Sequence, residues 1–242
     1  MVELPCIGMI YEGIILIPVF ILLFLSLRNY LINRTNLSLL LFLIFLTYSL
    51  SIVFSFFSKI LSCSSNFDYL KDFGPPDPGT PLSWILLRIS YFRITFAFIN
   101  LAIFFSFEFK RKIFNKYLTK SYRIFIYCLA SFNIIFSIFI FEKNFIILDL
   151  LVFLFAFLFE CLVYIPFFIQ SYKNYKMASN SAFKSKFLNL MVMSLSFLLV
   201  LLCLLMDRFF IFMEWGEYTF FYFISWLFVL LGIITAYKGY LS

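Results

Sequence analysis

The chain has 242 residues, of which 64% are apolar and only 13% charged, about half the roughly 25% usual in soluble domains. A water-soluble globule of this size cannot hide that much apolar surface, so the composition excludes a soluble enzyme and predicts an all-α, polytopic membrane protein embedded in the lipid bilayer. With no histidine in the sequence, Ser-His and Cys-His nucleophile pairs, haem ligation by histidine and zinc sites with histidine are all excluded.

Seven apolar runs reach the roughly 20 residues a spanning helix needs. The first, about Met9–Leu27, contains Pro18. The basic stretch that opens a cleavable signal peptide is missing, because Glu3 and Glu12 precede any Lys or Arg, so this run is expected to be retained. The second covers about Leu37–Phe57, with Asn36 placed to cap it. Next comes the only long loop, about Ser58–Thr80, carrying the helix-breaking run Asp72-Phe73-Gly74-Pro75-Pro76-Asp77-Pro78-Gly79. Thr80-Pro81 reads as a cap and first-turn proline for a third run to Phe107. The fourth spans about Arg123–Phe141. The fifth, Phe145–Ile169, has Asn144 as its cap and Pro166 near its end. The sixth and seventh are about Phe187–Met206 and Tyr218–Tyr237. Trp215, Tyr218, Tyr222 and Trp226 read as an interfacial aromatic belt. The whole chain, residues 1–242, is expected to form a single seven-helix domain of a multi-pass cell-membrane protein.

Lys and Arg set the orientation. With the amino terminus outside and the carboxyl terminus inside, inner segments hold thirteen of the 19 basic residues and outer segments four, Lys59, Lys71, Lys143 and Arg208. Arg88 and Arg93 fall within the third run. Glu12 and Asp207 are among nine acids assigned to the outer segments. The net charge of +7 therefore reflects residues that flank the membrane, and no nucleic-acid partner is expected. The inner stretch Phe109–Tyr122 spaces Phe109, Ile113 and Tyr117 helically among basic residues. This predicts contact of Lys110, Arg111, Lys112, Lys116 and Lys120 with the anionic inner leaflet or with an acidic cytoplasmic partner. Of the five cysteines, Cys6 and Cys63 both fall outside, where a disulfide is permitted. The Asn-x-Ser/Thr matches at Asn33 and Asn36 fall inside and are discounted.

Charges inside a membrane are costly and mark polar cores or binding sites. Arg88 and Arg93 in the third run, and Asp149 and Glu160 in the fifth, are the four such groups. On straight parallel helices, depth counting at about 1.5 Å per residue pairs Arg93 with Glu160 and Arg88 with Asp149. Asn100 lies seven residues past Arg93 and extends its polar face, while Trp84, Arg88, Tyr91 and Thr95 form a second stripe. These groups form a ligand pocket or a structural polar core. Pro18 and Pro166 are candidate hinges. The glycines are scattered and form no phosphate-binding loop, no C-x-x-C pair occurs, and neither a metal nor a cofactor is expected.

Several seven-helix families are testable by residue. A retinal protein needs a mid-helix lysine in the seventh run, which has none. The animal heptahelical receptors need an acidic-Arg-aromatic triplet after the third run, where Glu108-Phe109-Lys110-Arg111 stands, and N-P-x-x-Y in the seventh, where Thr235-Ala236-Tyr237-Lys238 stands. Tyr164-Ile165-Pro166 leading into the basic Gln170–Lys176 segment, Asp207-Arg208 and the ending Tyr237-Lys238-Gly239-Tyr240 resemble the seven-helix amino-terminal modules of archaeal-type histidine kinases. That resemblance implies sensing of a small ligand and signalling through a cytoplasmic output. The chain stops five residues after Tyr237, so the output is expected on a separate signalling protein. A second resemblance is to the PQ-loop sugar carriers, two three-helix repeats joined by a linker helix. It rests on Ile17-Pro18 and Ile165-Pro166, followed by Ser26-Leu27-Arg28-Asn29-Tyr30 and Ser171-Tyr172-Lys173-Asn174-Tyr175. Neither proline is followed by glutamine. This resemblance implies small-solute transport. No nucleophile motif is present and an enzyme is not expected.

Overall fold

A computed structural model of the chain describes residues 4–64, 81–114, 119–142, 146–213 and 219–241. The helices in order are α1 (Leu4–Asn33), α2 (Asn36–Ser64), α3 (Pro81–Ser90), α4 (Arg93–Phe114), α5 (Lys120–Phe139), α6 (Ile146–Met177), α7 (Ser181–Phe212) and α8 (Phe220–Leu241). Among the described residues, six helices are long and apolar enough to cross a membrane alone. The α3–α4 pair, bent by 66°, makes a seventh span if it crosses as one. The chain is an all-α, multi-pass membrane protein. Its outer surface is apolar all round, with Ile14, Phe24, Ile32 and Phe139 each about two-thirds exposed, as lipid-facing positions require.

Most helices run past the apolar cores that define them. A run of 32 residues, as in α6 and α7, rises about 48 Å against a hydrocarbon core of about 30 Å. Charged and polar ends therefore continue as helix instead of forming loops. Accordingly α2 runs seven residues past Phe57, to Ser64. Residues 65–80, 143–145 and 214–218, with the Thr80 and Asn144 caps, Trp215 and Tyr218, lie outside the described residues.

Local chemistry sets the turns. Arg34 takes a left-handed φ of 48° between α1 and α2. Thr35, and not Asn36, caps α2. The Thr35 hydroxyl accepts from the Ser38 amide at 3.2 Å, and the Ser38 hydroxyl accepts from the Thr35 amide at 3.2 Å. This is a capping box with serine in the usual glutamate position. Thr119 accepts from the Tyr122 amide to start α5, and Asn180 accepts from the Ala182 amide at 2.9 Å to start α7.

The third run is not one straight helix. It breaks at Tyr91–Phe92, where Phe92 adopts φ 56°. A non-glycine residue there costs about 1–2 kcal/mol, so its surroundings must hold the bend. They do so through Ser58 of α2, whose hydroxyl donates to the Ser90 carbonyl at 3.1 Å, and through Phe92 itself, which is buried in the core.

Packing follows chain order. Each span lies against the next, α4 also meets α6, and α8 closes back on α1. The peripheral α5 packs chiefly on α4 and α6. Cys6 of α1 and Cys63 of α2 form a disulfide, while Cys128, Cys161 and Cys203 are free thiols. Alkylation of the denatured protein is therefore expected to add three labels before reduction and five after it, read by intact mass. Five labels before reduction would refute the bridge.

Candidate functional site

The polar groups inside the bundle form three layers. The first, near the disulfide end, contains Arg88, Arg93 and Asp149. Arg93 opens α4, Asp149 lies in the first turn of α6, and the two form an ion pair with Arg93 1% exposed. Arg93 Nη1 also donates to the Ile140 carbonyl at 3.3 Å. Arg88 donates through Nε to the Ile138 carbonyl at 2.6 Å, with its guanidinium carbon 3.7 Å from the Trp84 ring centroid. The two arginines thus satisfy carbonyls at the carboxyl end of α5, which a helix leaves without intrahelical partners and which favour positive charge.

The expected pairs are therefore rearranged: Arg93 meets Asp149 and not Glu160, and Arg88 serves backbone carbonyls and the Trp84 face. The cause is the 66° bend. Depth counting assumed that every residue after Pro81 advances along the membrane normal, and the ten residues of α3 do not. Arg93 consequently sits at the disulfide end of its span, level with Asp149. Glu160 lies eleven residues deeper, about 16.5 Å along α6.

The middle layer surrounds a cavity of about 60 Å³ between α2, α4, α6, α7 and α8. Glu160, 2% exposed, and Arg208, 9% exposed, both line it. Aromatic walls come from Tyr48, Phe92, Phe153 and Phe197, with Tyr222 and Trp226 of α8. Tyr222 and Trp226 are buried, which corrects their reading as an interfacial belt. Glu160 Oε2, Thr95 Oγ1 and Trp226 Nε1, all from the lining, have no hydrogen-bond partner among the described residues. Buried polar atoms in native proteins are normally satisfied, and here these three converge on one space. A cavity this size has room for about four to six water-sized groups.

The chain also buries charges that the sequence places outside. Glu12 and Lys59 are fully buried, and Asp207 is 2% exposed. Glu12 accepts from the Ser55 hydroxyl at 3.0 Å and from the Tyr222 hydroxyl. Lys59 Nζ lies 4.4 Å from the Phe92 ring centroid and 4.9 Å from that of Tyr222. Arg208 reaches Phe92 and Phe153 at 5.0 and 5.2 Å. Asp207 accepts from the Thr219 amide and hydroxyl, both at 2.8 Å, fixing the entry to α8. These four residues were assigned to outer segments because a span was taken to end where its charges begin. The helices in fact carry them inward-facing. The one signal available was pairing of opposite charges at the same end of different spans.

Below Glu160, hydroxyls link three helices. Tyr164 of α6 contacts Ser106 of α4 at 2.8 Å and Tyr48 of α2 at 3.1 Å. Asn100 accepts from Asn133 of α5 at 3.3 Å, and Asn133 also donates to the Phe155 carbonyl. The sequence singled out Asn100 but not Asn133, which stands alone among apolar neighbours.

The layer farthest from the disulfide corrects a second expectation. The stretch after Phe109 is no surface helix at its start. Phe109 is 1% exposed and Lys110 7%, both within α4. Lys110 turns inward, its Nζ donating to the Val163 carbonyl at 3.3 Å. Tyr122 of α5 donates to the adjacent Leu162 carbonyl at 3.3 Å. Pro166 has no amide hydrogen for residue 162, so the Tyr122 hydroxyl replaces the donor that the Leu162 carbonyl lacks. Arg111 pairs with Glu108 at 2.6 Å, and Tyr127 donates to the same carboxylate at 2.7 Å. Lys112 and Lys120 are exposed; Lys116 lies outside the described residues. Pro18 and Pro166 both lie within unbroken helices. Among the described residues no cluster of acids and cysteines has the makings of a metal site. No family model, curated protein or solved structure matches the chain.

Proposed function

We propose that the protein is a receptor-like membrane sensor. A small solute occupies the central cavity, and a separate cytoplasmic protein reads the occupied state. The convergence of Glu160, Thr95 and Trp226 polar atoms on one cavity carries this reading, because a rigid bundle gains nothing from buried acceptors and donors left for nothing to fill. The resemblance to histidine-kinase sensor modules supports it. So does the distribution of exposed cations, with Lys112, Lys120, Lys173, Lys176 and Lys184 gathered at the end opposite the disulfide. A disulfide favours an oxidising exterior and basic ends favour the cytoplasm, so both support the amino terminus outside. The inner cations would then meet an acidic partner.

Affinity purification of the intact chain from native membranes in mild detergent, followed by mass spectrometry, tests the reading. A cytoplasmic protein is expected in about equimolar amount, and is expected to be lost when Lys112, Lys120 and Lys173 are changed together to Glu. A chain that elutes alone in every mild detergent would refute signalling through a separate protein.

A transporter is the second reading, and two observations favour it. Broken spans beside a mid-membrane cavity are a recurrent transporter device, and α3–α4 breaks at Phe92 on the cavity wall. In addition, α5 stands at the periphery between two sequential triplets of spans, as a linker helix would. Solute flux in proteoliposomes, reduced by Glu160→Gln, would decide for it.

A further inference from the structure

We propose that the cavity takes a short primary amine bearing a neutral hydroxyl group, its ammonium toward Glu160 and its oxygen toward Trp226 and Thr95. This rests on the solute-binding half of the reading above, and names the ligand class.

Four acids are buried among the described residues, and the protein itself provides donors to three of them. Asp149 pairs with Arg93, Asp207 accepts from Thr219, and Glu12 accepts from Ser55 and Tyr222. Glu160 differs. The side chain lines the cavity, is 2% exposed, and its Oε2 has no donor among the described residues. The other two orphaned atoms of the lining are chemically distinct. Trp226 Nε1 only donates, whereas the Thr95 hydroxyl donates and accepts. The three together call for one donor that can face a carboxylate and one uncharged oxygen.

The walls decide the charge of that donor. Tyr164, one turn beyond Glu160 on α6, has its hydroxyl 3.1 Å from that of Tyr48 and its ring 5.5 Å from Phe197. The Tyr48 and Phe197 rings therefore stand within about a turn of the carboxyl, and both line the cavity. Aromatic faces attract an ammonium group, and the protein already seats Lys59 4.4 Å from the Phe92 ring centroid. A bare metal ion would lack the oxygens it needs, because the lining is mostly aromatic and aliphatic. An ammonium group buried here needs one counter-charge, and Glu160 supplies it. Arg208 shares the lining but is already engaged within the protein, its guanidinium carbon 5.0 and 5.2 Å from Phe92 and Phe153, and it takes no part in binding. Phe153 precedes Glu160 by seven residues, about 10.5 Å along α6, which keeps the two cations apart. The cavity volume, about 60 Å³, limits the ligand to a short chain.

The test is calorimetric titration of the full chain in lipid nanodiscs, against empty nanodiscs, with 3-amino-1-propanol, butylamine, 1,3-propanediol and tetramethylammonium, which are alike in size. The expected result is tightest binding of 3-amino-1-propanol. Propanediol, which lacks the charge, and tetramethylammonium, which lacks an N–H donor, are each expected to bind at least about tenfold more weakly. Butylamine, which lacks the oxygen, is expected to bind about threefold more weakly or worse. Glu160→Gln is expected to weaken 3-amino-1-propanol about tenfold or more while leaving propanediol within about twofold. Trp226→Phe is expected to erase the advantage of 3-amino-1-propanol over butylamine. Ser225→Phe, which places a ring in the cavity, is expected to abolish binding. If a variant fails to assemble, the probe series on the unaltered chain decides alone. Propanediol, tetramethylammonium or butylamine binding as tightly as 3-amino-1-propanol overturns the assignment. So does no binding of any probe, or binding that survives Glu160→Gln or Ser225→Phe undiminished. Tight propanediol binding that Ser225→Phe abolishes would keep the receptor reading and end the amine. Amine binding by a chain that recruits no cytoplasmic protein would do the reverse.

Discussion

Changing Asp149 to Ala is expected to destabilise the bundle by about 3–5 kcal/mol, the usual cost of stranding one member of a buried ion pair. Arg93 is 1% exposed and opens α4 immediately after the bend, so its guanidinium has no route to water. The Ile140 carbonyl remains as an acceptor, but a neutral dipole does not replace a carboxylate. The double change Arg93→Met with Asp149→Leu is expected to recover most of the loss, because a buried pair replaced by apolar side chains of similar volume is often neutral. Denaturant titration in mixed micelles gives both values. A single Asp149→Ala within about 1 kcal/mol of the parent would show that the pair does not hold α4 to α6.

The second large effect is expected at Gly232 of α8. A methyl group there would sit 2.8 Å from Phe197 Cε1 and 3.0 Å from Cδ1, inside van der Waals contact. Away from the cavity the ring has little room to yield. It is 2% exposed, stacked on Tyr48 at 4.7 Å and flanked by Tyr164 at 5.5 Å. Gly232→Ala is expected to cost about 1–3 kcal/mol, the range for overpacking a filled core. Phe197 also forms a cavity wall, so the ring is expected to swing into that space. The substitution should lower the thermal midpoint and reduce solute binding together. A lowered midpoint with unchanged binding would place the relaxation elsewhere, in α8 itself.

Hydropathy alone made the spans legible, because an apolar run of about 20 residues has few other fates. Their ends were not legible. Lys59, Glu12, Asp207 and Arg208 look in sequence like the edges of loops, and only the packing of six neighbouring helices makes room for them inside. The four intramembrane charges were found from sequence, but their partners were not, since pairing depended on a bend at Phe92 that carries no proline or glycine to announce it. The cavity shares this limit. Glu160 was visible as an isolated acid, whereas Thr95, Trp226 and Arg208 come from three other helices and acquire meaning only where those helices converge. Pro166 shows the opposite case. The missing amide hydrogen is evident from the proline itself, and the structure supplies the replacement donor, Tyr122.

The sequential packing of the spans bears on how the chain assembles. Each helix that enters the membrane finds a neighbour already there, so most of the interfaces form between spans made one after the other. Besides α4–α6, the seam between spans not made in succession is α1–α8. Its polar contacts, Glu12 with Tyr222 and Tyr11 with the Phe223 carbonyl, join residues more than 200 positions apart. Until the last helix arrives, Glu12 lacks the tyrosine and the first span has an open flank. Translation therefore leaves an unlatched intermediate of six spans, and truncation before α8 should yield a product that membrane quality control recognises by that exposed acid.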